Sequence, residues 1–195
     1  MSTLEQFIPE KDFFIGIDSD GCVFDTMEVK HKEFFCPNTV KYFGLFAIAK
    51  YVRETWDFVN LYSVTRGTNR FHALIRVMDL LAGRPEVAER GVTLPDMDPL
   101  REWVRKESRL GNPVFMEYVN DNPSPTLKAI LAWTLAINED IAEWLSDLQP
   151  FPHARKSIEK LSPIPDAIVV SQTPLEALPR EWKEHGIDNM VKAIA

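Results

Sequence analysis

The chain reads as an α/β protein: a three-layer core around a parallel sheet, interrupted by a large all-helical insertion. Three observations predict this. Short apolar, β-branched runs lie near both ends, at 13–18 and 166–170, with a third at 189–195. The residues between, 28–148, carry the three-and-four spacing of helices almost throughout. The two longer runs each end in a cluster of polar side chains, where parallel α/β sheets collect their chemistry.

The elements follow in order. "FFIGID", from Phe13 to Asp18, is a near-continuous apolar run, which predicts a strand buried on both faces and therefore central. Residues 19–27 form a tight connection around Gly21. "VKYFGLFAIAKYVRETWDFV", 40–59, reads as one helix. "TNRFHALIRVMDLLAG", 68–83, places Phe71, Leu74, Ile75, Met78 and Leu81 on one face, with Thr68 as N-cap and Gly83 as stop. "PDMDPLREWVRKESRLG", 95–111, is a third helix closed by Gly111. "PSPTLKAILAWTLAINEDIAEWLSDL", 123–148, is the longest, entered through Ser124 and Pro125. A loop and short helix occupy 149–163. "DAIVVSQTP" gives a second strand, "LEALPREWKEHG" a helix ending at Gly186, and "NMVKAIA" a third strand. The core is thus 1–27 with 149–195, and the insertion 28–148.

Composition excludes several classes. The 195 residues include 29 acidic and 22 basic side chains, a net charge of -7, so there is no basic footprint for nucleic acid. No apolar run is long enough to span a bilayer, and the polar "MSTLEQFIPEKD" start lacks a secretory pattern. Cys22 and Cys36 are too few for a disulfide framework and wrongly spaced for zinc. A cytoplasmic setting is expected.

The strand ends raise a chemical question. Asp18 and Asp20 stand at the end of an apolar strand, where unpaired carboxylates are costly. A calcium loop is a poor explanation, because Cys22 and Val23 sit where an oxygen donor and a glycine would be needed. If the second strand is a parallel neighbour, Ser171, Gln172 and Thr173 face the same pocket. Two carboxylates, a hydroxyl and backbone amides suit magnesium and a phosphate. A carboxylate can also attack phosphorus. Two carboxylates this close repel, so one can keep a proton and act as an acid.

In this setting "DSDGCVFDT", 18–26, resembles the first motif of the haloacid dehalogenase-like superfamily, and "AIVVSQTP", 167–174, resembles its second. "PFPHARKSIEKL", 150–161, is similar to the segment leading into that second strand, and the helical insertion resembles a cap domain. The resemblance implies a magnesium-dependent hydrolase of a small phosphorylated metabolite. Asp18 would be the nucleophile and a metal ligand. Asp20 would bind magnesium through its backbone carbonyl and serve as acid and base through its side chain. Ser171, with Gln172, would bind the phosphoryl group, and Thr173 would contact substrate; the alternative for all three is to cap the helix that starts near Pro174. True dehalogenases of the family lack an acid at the position of Asp20, which favours an oxygen leaving group. Asp25 either contacts substrate or closes the turn.

In the cap, Arg66, Asn69 and Arg70 surround a helix start and form a candidate specificity element. The alternative is a capped helix with solvated arginines. The four histidines read as packing or surface residues, and the five tryptophans as core. Alternatives to the phosphatase are a phosphomutase, a phosphonate hydrolase using an imine on Lys30, Lys32 or Lys41, or a non-catalytic binding protein on a decayed scaffold.

The pattern departs from the family in one respect. The family's third motif, a basic residue, and its fourth, an acid completing the metal site, have no counterpart before Ala195; Lys183 and Lys192 come too early. The expectation is that the sequence is a piece of a longer phosphatase. Alone it would turn over little substrate, and it would expose an apolar sheet edge that promotes self-association.

Overall fold

The computed structural model describes residues 7–146, 148–171 and 178–194. Along the chain run β1 (Phe14–Ile17), α1 (Met27–Val29), a π-helical turn (Lys30–Phe35), α2 (Cys36–Tyr42), α3 (Ala49–Asp57), a second π-helical turn (Phe58–Tyr62), α4 (Arg70–Ala82), α5 (Pro85–Glu89), α6 (Asp98–Lys106), α7 (Asn112–Asp121), α8 (Pro125–Trp144), α9 (Ala154–Leu161), β2 (Asp166–Val169), α10 (Leu178–Glu184) and β3 (Ala193–Ile194). The chain forms two compact units, Met1–Met27 with Leu145–Ala195, and Glu28–Trp144.

The first unit is α/β. Its sheet has the order β1-β2-β3, and both pairings are parallel. Ile17 and Val169, the last residues of β1 and β2, are register partners, so the two strands end level. Ile17, Val23, Phe24, Ile158, Val169 and Trp182 are among the side chains of its core. The segment before β1 is tied to the sheet by Asp166, whose Oδ2 accepts the N–H groups of Glu10 at 2.7 Å and Lys11 at 3.0 Å. These bonds hold the Asp166 carboxyl below its ordinary pKa.

The second unit is helical, around a core rich in aromatic rings. Trp56, Trp133, Phe35, Phe71, Trp103 and Phe115 pack there at centroid separations of 4.6–6.3 Å. Buried indoles keep polar partners: Trp133 Nε1 donates to Thr39 Oγ1 and Trp56 Nε1 to His31 Nδ1, each at 3.1 Å. In α4 the Phe71, Leu74, Met78 and Leu81 stripe is buried, as its spacing predicts. In α8 the Ser124 hydroxyl caps the helix by accepting from Leu127 N at 3.1 Å.

Several elements differ from the sequence expectation. β1 is not central among the described residues: it pairs with β2 alone, and Phe14 is 74% exposed. The single helix expected over 40–59 is broken at Gly44. That residue has φ +66, and Leu45 N donates to Val40 O and Gly44 N to Lys41 O, which closes α2 with the paired bonds of a glycine C-cap. Gly111 does not end α6; it is the N-cap of α7, with Pro113 in the first turn. The α4 cap is Asn69 rather than Thr68. The third strand is only Ala193–Ile194, preceded by a 3-10 turn at Asp188–Met190. Trp144 is 69% exposed at the end of α8, unlike the other four tryptophans.

Candidate active site

The loop after β1 is built on Ser19. This residue is buried, and its carbonyl accepts the N–H groups of Cys22, Val23 and Phe24 at 3.3, 2.9 and 3.0 Å. Its hydroxyl accepts from Trp182 Nε1 at 3.1 Å, which pins the loop to α10. Gly21 turns the chain at φ +75 and donates to Phe24 O at 2.7 Å. Phe24 is buried with its ring edge-on to Trp182, at 6.1 Å. With Ser19 and Phe24 directed inward, Asp18 is left exposed at the strand end and Asp20 half-buried one turn on.

Asp18 Oδ1 accepts the Ser19 N–H at 2.8 Å. Its pKa is raised: partial desolvation of this otherwise exposed carboxyl is the main cause, the Ser19 bond opposes it, and the charge of Asp20 adds to it. Thr26, itself buried, donates from Oγ1 to Asp20 Oδ1 and so fixes one oxygen of that carboxylate. Val170 N donates to Ile17 O at 2.9 Å, which carries the β1–β2 pairing to the point where Asp18 and Ser171 leave the sheet. Ser171 is half-buried there. Gln172 and Thr173 lie outside the described residues.

Among the described residues, no three His, Cys, Asp or Glu side chains gather as a metal cluster. Magnesium does not need such a cage. It is commonly held by one or two carboxylates, with substrate oxygens and water completing its octahedron. The hard-oxygen donors at Asp18 and Asp20 fit that pattern in kind.

The cap candidates separate into different roles. Asn69 is occupied structurally: its Oδ1 accepts from Phe71 N at 3.0 Å and its Nδ2 donates to Leu110 O at 3.0 Å. Arg66 is exposed and reaches back to Leu61 O at 3.3 Å. Arg70 lies against α8, with Nη1 bonded to Thr134 and Asn138. Asp25 is exposed. Among the lysines considered for an imine, Lys30 is buried in the first π-helical turn, and Lys41 lies over the Tyr42 ring. Lys32 donates to Glu28 and Tyr62, and those bonds raise its pKa, the opposite of what imine formation requires.

Sequence reasoning missed Thr26, Ser19 and Trp182. All three shape the aspartate loop, yet none carries a periodic or motif signal. No family model, curated protein or solved structure matches the chain.

Proposed function

We propose that the chain is a magnesium-dependent phosphomonoester hydrolase of the haloacid dehalogenase-like kind, acting on a small phosphorylated metabolite through an aspartyl-phosphate. The observation that carries this reading is the level ending of two parallel strands. One delivers an exposed carboxylate at Asp18 and the other a hydroxyl at Ser171. The carboxyl ends of parallel strands are where open α/β sheets bind their ligands.

In this reading Asp18 attacks phosphorus, and the bond to the ester oxygen breaks. Asp20 protonates that oxygen as it leaves. A water molecule then gives its proton to Asp20 and attacks the phosphoryl group, which frees Asp18 and releases inorganic phosphate. Thr26 keeps Asp20 aimed during both transfers. Ser171 donates to a phosphoryl oxygen. Asp18 and the Asp20 carbonyl would hold the cation. When bound, magnesium supplies positive charge for the phosphoryl oxygens and the Asp18 carboxylate.

Two measurements test this. The first is hydrolysis of para-nitrophenyl phosphate with and without magnesium. The second is 19F NMR of a beryllofluoride adduct, which mimics the aspartyl-phosphate and does not require turnover. The adduct forms with magnesium and is lost in Asp18→Asn. Absence of both hydrolysis and adduct in the unsubstituted protein overturns the reading.

A further inference from the structure

We infer that Arg70 makes the helical unit an oxyanion-binding module, receiving a carboxylate or phosphate group on the open edge of its guanidinium. Arg70 is the first residue of α4. Its Nη1 donates to Thr134 O at 3.3 Å, Thr134 Oγ1 at 3.0 Å and Asn138 Oδ1 at 2.8 Å, and its guanidinium carbon lies 4.9 Å from the centre of the Phe35 ring. Every one of these partners is neutral. Elsewhere in the unit Arg84 meets Glu54 and Arg101 meets Asp79, while Arg90, like Arg70, bonds a neutral acceptor beside an aromatic ring. Arg70 differs in being held by three neutral side-chain and backbone acceptors at once.

The bonding is also one-sided. Three acceptors and an aromatic face engage Nη1 and the plane of the group, while Nε and Nη2 meet no acceptor among the described residues. Arg70 is half-buried, and neither nitrogen is among the fully buried unbonded side-chain atoms of the described residues. Nε and Nη2 form the side edge of the guanidinium, two parallel N–H donors spaced for the two oxygens of a carboxylate or phosphate. Packing α4 against α8 requires only one donor for Thr134 and Asn138, which a neutral amide could supply. In the packed unit the charge is used only by the Phe35 ring face, and it carries a cost: burial pulls the Arg70 pKa down to about 10. An oxyanion on the open edge removes that cost. It meets a fork already fixed in place, so little side-chain freedom is lost on binding. The positive end of α4 adds to the attraction. The inference rests on the helical unit alone and stands whether or not the aspartate loop hydrolyses phosphate esters.

The test is a side-chain 15N NMR titration of the full chain, without divalent cations, at ionic strength fixed with chloride. Inorganic phosphate and acetate are the probes. The Arg70 Nε–H signal is assigned by through-bond correlation and by its loss in Arg70→Lys. The expected result is a saturating shift of that signal with half-saturation at about millimolar probe. Saturation by phosphate alone, acetate alone or both names the oxyanion. Arg70→Lys removes the response if it folds, and phosphate no longer raises its melting temperature. Asp18→Asn leaves the response intact, which separates this site from the proposed active site. A signal that stays fixed, or that drifts linearly and equally with phosphate, acetate and chloride, overturns the inference and leaves Arg70 as a packing residue.

Discussion

Asp18 is a carboxylate placed at odds with stability. Its pKa is raised in the folded chain, so the folded state binds that proton more tightly than the unfolded state does. The stabilisation is therefore complete below the ordinary aspartate value and is lost as pH rises through the folded value. Asp18→Asn removes this ionisation. Without divalent cations it should melt slightly above the parent at pH 7, the gain being small because solvent screens an exposed side chain, and the gain should vanish in acid, below the ordinary aspartate value. A melting series against pH checks both the sign and the window. The same substitution should abolish hydrolysis, which is the trade expected of a catalytic group. Asp20→Asn should behave differently. With a nitrophenyl ester the leaving group needs little protonation, so the first release of nitrophenol survives. Water activation is lost, so the phosphoenzyme accumulates and turnover falls by about a hundred- to ten-thousand-fold. Thr26→Val should lower kcat by roughly ten- to a hundredfold at nearly constant KM and shift the pH profile, because Asp20 loses its positioning partner. Thr26→Ser should restore most of it.

The element that makes the site is the 19–26 loop, and its conformation depends on Gly21. At φ +75 a side chain is strained, so Gly21→Ala should cost about 1–3 kcal/mol and lower the melting temperature by several degrees. Circular dichroism melts would register it. This loop also shows what the sequence made legible. Asp18, Asp20 and Gly21 stood out because carboxylates and glycine are poor strand residues, whereas the sequence offered the β1–β2 adjacency only as a condition, which the parallel pairing meets. Gly83, Gly186 and Ser124 marked helix ends through their local chemistry. Gly44 carried the same signal but was overridden by strong helical periodicity on both sides. Thr26, Ser19 and Trp182 were not legible, because their roles rest on contacts spanning up to 163 positions. The edge position of β1 was hidden for a related reason. An apolar run does not say how many neighbours the strand has.

At the scale of the whole molecule, each unit carries its own hydrophobic core, and no helix among the described residues is long and apolar enough to cross a membrane. Both units expose single large apolar side chains, but in the α/β unit two of them adjoin an unpaired strand edge. Phe13 is 71% and Phe14 74% exposed, and the side of β1 away from β2 has no strand partner among the described residues. An edge with open backbone groups and two exposed rings is a template for pairing with another chain. The many acidic side chains oppose association through a net charge of -7, so raising the salt concentration should screen that repulsion and favour it. Sedimentation velocity should therefore show concentration-dependent association that strengthens with salt. Phe14→Lys places a charge on the edge and should shift the chain toward monomer. Because the position is exposed, the melting temperature should change by no more than about 0.5 kcal/mol equivalent. A parent chain that stays monomeric in high salt would show that charge and local twist already protect this edge.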